Sequence, residues 1–301
     1  MTASGRPVVL AVDLGGTAMK GAVVGDDRTV LAEIARPTPQ TEIVGALRAL
    51  LRDLRTSAHA NGARVVAAGV VTPGMLDEAR GIVHYASNLG WRDLPLRDIL
   101  HDDLALPVAV GHDVRAAGLA ERTVGAARAM QDFVLVPIGT GVAAALVSAG
   151  DTITGATGAA GEFGHIPVVP GGEQCTCGQR GCLEVYVSGA GVARRYRNAG
   201  GAELSTQEIA GRLGRDPLAD RIWSEAVDVL AQGLDILTLL LDPNVIVLGG
   251  GFSEAGDGLF VPLAERMRAG LAWREPPQVV RSSLGSDAGR IGAGLLAFAA
   301  A

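Results

Sequence analysis

At 301 residues, 48% of them hydrophobic, the chain is longer than one small core requires, and its length favours two domains. Acidic residues outnumber Lys and Arg by 32 to 26, giving a formal net charge of -6 and no positive surplus with which to hold a polyphosphate backbone. Neither nucleic acid nor membrane is expected as a partner. The most apolar late stretch, Val227 to Leu241, is broken by Asp228, Gln232, Gly233 and Asp235 and falls short of the roughly 20 apolar residues of a spanning helix.

The opening MTASGRPVVLAVDLGG has one early Arg and an apolar run that ends on Asp13 and two glycines, so no secretion signal is expected and the protein reads as cytoplasmic. Val8 to Val12 and Met19 to Val24 are two strand-like runs joined by a tight turn, a hairpin. Thr41 to Ala60 places Ile43, Ala46, Leu47, Leu50, Leu51 and Leu54 at helical spacing, and Arg64 to Val71 returns to a buried strand, which suggests a layered α/β domain. From Phe133 the text VLVPIGTGVAAALVSAG repeats the hairpin pattern and implies two related halves. Asp220 to Leu241 reads as a long amphipathic helix stopped by Asp242-Pro243, and Val245 to Leu248 as a strand running into three glycines. No Pro- or Ser-rich linker intervenes, so the boundary is expected at a hinge near Gly111. The expected domains are a small one of residues 1–111 plus 287–301 and a large one of 112–286.

Three glycine turns follow apolar strands: Gly15-Gly16-Thr17, Gly139-Thr140-Gly141 and Gly249-Gly250-Gly251. Glycine lets backbone amides approach an anion, a threonine hydroxyl can bond phosphate oxygens, and Asp13 can hold Mg²⁺ directly or through water. One such turn is an ordinary hairpin; three together point to a nucleotide site, although neither the Walker nor the dinucleotide glycine spacing is present.

All three cysteines fall between Cys175 and Cys182, a poor layout for a disulfide framework. With His165 they form a closed Cys₃His set suited to zinc, and four protein ligands leave no open position, so the metal is expected to be structural. Asp113 beside His112, and Glu162 and Glu184 on either side of the zinc ligands, are carboxylates able to accept a hydroxyl proton or grip a polyhydroxylated substrate. Any one alone reads as a solvated surface acid, and Asn88 as a turn residue.

Taken together, Glu162-Phe163-Gly164-His165 followed by Cys175-Thr176-Cys177-Gly178-Gln179-Arg180-Gly181-Cys182-Leu183-Glu184, with the Asp13-to-Lys20 start and the GTG and GGG turns in that order, resemble the ROK family of sugar kinases and repressors, especially its bacterial glucokinases. The resemblance runs over essentially the whole chain. It implies the actin-like ATPase (ribonuclease H-like) fold, two α/β domains closing on a central cleft, and ATP-dependent phosphorylation of the glucose 6-hydroxyl. It implies Asp113 as the base; Gly74, Asn88, His112, Asp113, Glu162, His165 and Glu184 on the sugar; and Asp13, Gly15, Gly16, Thr17, Lys20 and the two later glycine turns on ATP and Mg²⁺. His165 would serve both zinc and sugar, one ring nitrogen on each. A homodimer and ATP as donor, ahead of polyphosphate, are further family expectations.

The chain departs from the family at His112, where asparagine is usual, which opens a modified glucose such as kanosamine as an alternative substrate. Val142-Ala143-Ala144 also stand where relatives carry further glycines. The family's repressors place a helix-turn-helix ahead of this body; with Asp13 so near the start, that module is not expected. A non-catalytic sugar sensor would not need Asp13, Lys20 and Asp113 together with the glycine turns.

Overall fold

In the computed structural model, which describes residues 5–301, Val8 to Val12 are fully shielded from solvent, so the first strand is covered on both faces. Met1 to Ser4, the start of the stretch read for a secretion signal, lie outside the described residues. In chain order the elements are β1 (Arg6–Leu14), β2 (Ala18–Gly25), β3 (Val30–Pro37), α1 (Ile43–Ala60), β4 (Ala63–Thr72), β5 (Met75–Asp77), β6 (Ile82–Ala86), β7 (Trp91–Leu94), α2 (Leu96–Leu104), β8 (Val108–His112) and α3 (Asp113–Val124). They continue as β9 (Phe133–Pro137), β10 (Ala145–Ser148), β11 (Asp151–Thr152), α4 (Leu183–Val187), α5 (Gly189–Asn198), α6 (Thr206–Ala210), α7 (Pro217–Leu241), β12 (Val245–Gly249), α8 (Asp257–Gly270), β13 (Gln278–Arg281) and α9 (Ala288–Ala300).

The chain forms two compact units, one of Met1–Ala120, Thr154–Ala160 and Ser286–Ala301, the other of Glu121–Ile153 and Gly161–Gly285. The first contains a five-stranded sheet in the order β3-β2-β1-β4-β8, antiparallel on the β3-β2-β1 side and parallel from β1 to β8, and a small β5-β6-β7 sheet. The second contains β11-β10-β9-β12-β13, again antiparallel on one side of the central strand and parallel on the other. The two hairpins legible in the sequence are thus the same part of one repeated topology.

In the first unit Leu47, Leu50, Leu51 and Leu54 of α1 and Leu96, Leu100 and Leu104 of α2 share a core with β1 and β4. Each such buried leucine contributes about 1.5–3 kcal/mol relative to exposure. The opposite face is covered by α9, whose small residues let its backbone touch the sheet: a Cβ at Gly69 of β4 would stand 2.0 Å from the Ala293 carbonyl oxygen. Ala116 of α3 packs with Ala11, Val71 and Ala293, which keeps this helix in the first unit as far as Ala120, beyond the Gly111 suggested by sequence.

In the second unit α7 is the central helix. Asp216 caps it by accepting from the Leu218 and Ala219 amides, Pro217 takes the first turn where its missing N–H costs nothing, and Asp242 ends it in a left-handed conformation. Its apolar face, including Trp223, Leu230 and Leu234, packs with Val134, Val136, Ile246 and Leu248 of β9 and β12. Among the described residues no helix is long and apolar enough to cross a membrane.

The α9 contact makes a stability prediction. Gly69→Ala has to displace the α9 backbone and should destabilise the protein by about 1–3 kcal/mol in urea unfolding; an unchanged midpoint would show that α9 does not sit this close.

Candidate functional site

Strands β1, β4 and β8 run parallel and end together. Asp13 pairs in register with Val71, and Thr72 with His112, so Asp13 and the His112-Asp113 junction occupy the carboxyl-end edge of one sheet. Ligands of open α/β sheets bind at this edge. Lys20 faces Asp13 across the β1–β2 pair, and its ammonium reaches the Ser286 carbonyl at 3.3 Å. The Gly15-Gly16 turn is closed by the Gly15 amide on the Ala18 carbonyl at 2.9 Å and held by the Thr38 hydroxyl on the Gly15 carbonyl at 2.7 Å. A Cβ on Gly16 would lie 3.3 Å from that of Asn88, which brings the sequence-predicted Asn88 to the first glycine turn. Gly74, at φ 117°, allows the turn after β4 to pass against Tyr85 and Ala86, where a Cβ would meet the Tyr85 carbonyl oxygen at 2.3 Å.

The electrostatics of this edge are unusual. Burial pushes the Asp113 carboxyl up to about 6, against the Val114 amide and the Arg115 guanidinium, which both favour its charge. Asp13 is also raised to about 6, by burial first and the Asp113 charge second, with Lys20 and Arg290 opposing. His112 moves the other way, down to about 4, because it is buried and Arg115 is near, with Glu78 opposing. The Val114 amide donates to both Asp113 Oδ1 at 2.7 Å and His112 Nδ1 at 3.2 Å. Nδ1 is therefore an acceptor, the ring is neutral near pH 7, and its proton sits on Nε2. The 3.3 Å approach of Nδ1 to Asp113 Oδ1 is accordingly a contact of two acceptors around one N–H, not an ion pair. A neutral His112 can donate through Nε2 and accept through Nδ1, and it brings no positive charge.

The second unit holds the other predicted residues. Gly139–Gly141 follows β9 and Gly249–Gly251 follows β12, two parallel neighbours, and the turns touch: the Ile138 amide donates to the Gly249 carbonyl at 2.9 Å, and a Cβ on Gly250 would stand 2.2 Å from the Ile138 carbonyl oxygen. Gly139, Thr140 and Gly141 are solvent-exposed. Glu184 Oε2 accepts the Val142 amide at 2.9 Å, so one of the predicted sugar acids also fixes the GTG turn. Gly164 packs between Val142 and Glu184, with its would-be Cβ 2.3 Å from the Val142 carbonyl oxygen, which joins the Glu162-to-His165 turn to the same place.

The ligand atoms of His165, Cys175, Cys177 and Cys182 all lie within 4.8 Å of one another. Cys177 and Cys182 sulfurs are 3.7 Å apart, and Cys175 Sγ is 3.8 Å from His165 Nδ1. A tetrahedron with Zn–S bonds of about 2.3 Å has sulfurs separated by about 3.8 Å, so this donor set fits zinc in size as well as chemistry. Nδ1 faces the thiols, while Nε2 points to the other side, 3.9 Å from Glu162 Oε2.

Glu78, Arg115 and Arg290 were not singled out in the sequence. Arg115 and Arg290 are buried, and Arg290 is held by Glu33 at 2.7 Å and Asp287 at 3.2 Å. The available signal was an arginine two residues after Asp113, between Val114 and Ala116-Ala117, and Arg290 among the glycines and alanines of α9.

Residues 9–300 match the family described as ROK family. A glucokinase of Halalkalibacterium halodurans is 34% identical over 95% of this chain and 94% of its own length. The crystal structure of a ROK hexokinase from Thermus thermophilus superposes with a TM-score of 0.84 at 34% identity, covering 97% of this chain and 98% of that one. A ROK family glucokinase from Streptomyces griseus, in complex with glucose and AMPPNP, gives 0.82 at 31% identity, covering 97% and 99%. The mixed α/β architecture is that of the actin-like ATPase fold, and the chain belongs to the ROK family.

Proposed function

We propose that this protein is an ATP-dependent glucokinase that transfers the γ-phosphoryl group to the 6-hydroxyl of glucose. The observation that carries the reading is Asp113, a partly shielded carboxyl just past the end of β8 whose surroundings push it up to about 6, beside a neutral histidine. As the sugar oxygen attacks phosphorus, Asp113 takes its proton, the bond to the β-phosphate oxygen breaks, and ADP leaves. Mg²⁺ supplies neutralisation of phosphate charge, and Asp13 is the residue to hold it, directly or through water. Lys20 and the Gly15-Gly16-Thr17 turn contribute donors and cationic charge in the first unit; Gly139-Thr140-Gly141 and Gly249–Gly251 contribute amides in the second. On the sugar, Gly74, Asn88 and His112 act from the first unit.

From the second unit Glu162, His165 and Glu184 bind ring hydroxyls. With Nδ1 on zinc, the His165 Nε2 proton is fixed as a donor, and Glu162 beside it is an acceptor, a pair suited to one hydroxyl. His165, Cys175, Cys177 and Cys182 would hold a zinc ion with protein ligands alone, and the metal would then order the loop and not activate water. The same reading includes a cytoplasmic location and a homodimer. A second substrate, a modified glucose such as kanosamine, is favoured by one feature alone, His112 in place of the family's asparagine.

Asp113→Asn should lower kcat about 10²–10⁴-fold with little change in glucose KM. Wild-type activity within a factor of about two would remove the base from Asp113, and sugar binding without ADP release for any hexose would favour a sensor. Because the raised pKa keeps Asp113 protonated in acid, kcat/KM should hold above pH 6 and fall about tenfold per unit below it. A limb near pH 4 would contradict this. Stripping zinc with a chelator should raise sugar KM and lower Tm while leaving ATP KM near its starting value; an effect confined to ATP would place the loop elsewhere. His112→Asn should change the ratio of kcat/KM for glucose to that for kanosamine by at least about tenfold if His112 selects the sugar.

A further inference from the structure

Among the described residues β8 is an edge strand paired with β4 alone, and its last residue His112 has a backbone N–H that needs an acceptor. Glu78, just past β5, supplies it: Oε1 accepts the His112 amide at 2.9 Å and, on the same oxygen, Arg115 Nε at 2.8 Å. Arg115 Nη1 donates in turn to the Gly158 carbonyl at 3.1 Å. Gly158 lies in Thr154–Ala160, the excursion of the chain into the first unit, and has φ 75°; a Cβ there would stand 2.4 Å from the Leu76 carbonyl oxygen of β5. One guanidinium, with its side chain 4% exposed, therefore gathers the β5 turn, the β8–α3 junction and the segment that continues covalently through Gly161 to Glu162.

Arg115 is buried while the Glu78 side chain is 32% exposed, and desolvation of the arginine offsets much of the Coulomb energy, so the pair adds little net stability but holds a defined geometry where an apolar pair would slide. Here the geometry held is the backbone on either side of Asp113 and the lead into Glu162. We propose that Arg115, acting through Glu78 and Gly158, is a positioning residue that sets sugar affinity; this rests on the hexokinase reading above. Lysine cannot replace it, since Nε and Nη1 are used in two directions from one rigid plane.

The test is hydrogen exchange on the full-length free protein together with steady-state kinetics for Arg115→Met, Arg115→Lys and the milder Glu78→Gln. Amides of residues 154–160 should exchange at least about tenfold faster in Arg115→Met and Arg115→Lys than in wild type, with β1 amides unchanged. Sugar KM should rise at least about tenfold and ATP KM stay within about twofold, whereas a lost folded fraction alone would leave both unchanged. Glu78→Gln should lie between, and it carries the comparison if the arginine variants fail to fold. Unchanged exchange over 154–160, restoration by lysine, or an unchanged sugar KM would overturn the proposal. If wild type transfers no phosphate to any sugar, the hexokinase reading falls by itself, and the exchange comparison still decides whether Arg115 holds the segment.

Discussion

Asp13, next to last in β1, and Asp113, the first residue after β8, lie at the same edge of one sheet with β4 between the two strands, and burial lifts both carboxyls to about 6. Poor hydration raises the proton affinity of both acids, the Asp113 charge raises that of Asp13 further, and the first unit is arranged around that constraint. Lys20 faces Asp13 across the hairpin, Arg290 and Arg115 add positive charge nearby, and both arginines are held by other acids, Glu33 and Asp287 for one and Glu78 for the other. Gly289 at the start of α9 leaves room for the carboxylate, since a Cβ there would stand 2.5 Å from Asp13 Oδ2. Such a pair is costly to fold and useful to chemistry: at neutral pH both acids are charged, yet each is closer to taking a proton than an exposed aspartate.

The second unit repeats the strand order of the first, ends β9 and β12 in glycine turns, and carries past β11 a Cys₃His group that could hold a metal. Its two glycine turns brace each other through Ile138, and Glu184 connects them to the loop that holds His165 and the cysteines. Repetition of topology supplies each unit with a strand-end edge, and the residues at those edges have diverged. The Cys175 sulfur lies against His165 Nδ1, which leaves Nε2 as the ring nitrogen turned away from the thiols.

Much of this was legible in the sequence because it is encoded locally. The hairpins, the α1 apolar spacing and the Cys₃His group each depend on residues a few positions apart, so pattern alone located them. α7 begins at Pro217, upstream of the Asp220 expected from its apolar period, because Asp216 caps the helix before the amphipathic face starts. The buried charges were not legible. Glu78 and Arg115 stand 37 positions apart, and nothing in either segment says that they meet. Glu121 shows the same limit: it is fully buried and gathers the Ser282 hydroxyl and the Leu284 amide from the far end of the unit. The neutral state of His112 also depends on tertiary burial and on the Val114 amide, which no local pattern around His112 displays.

The central claim, that Asp113 directs a sugar 6-hydroxyl onto ATP, is tested most directly by ³¹P NMR of the products formed from glucose, ATP and Mg²⁺. The account predicts ADP together with a single new phosphomonoester coupled to the two protons on C6. Inorganic phosphate in place of the ester, or an ester at another carbon, would contradict it.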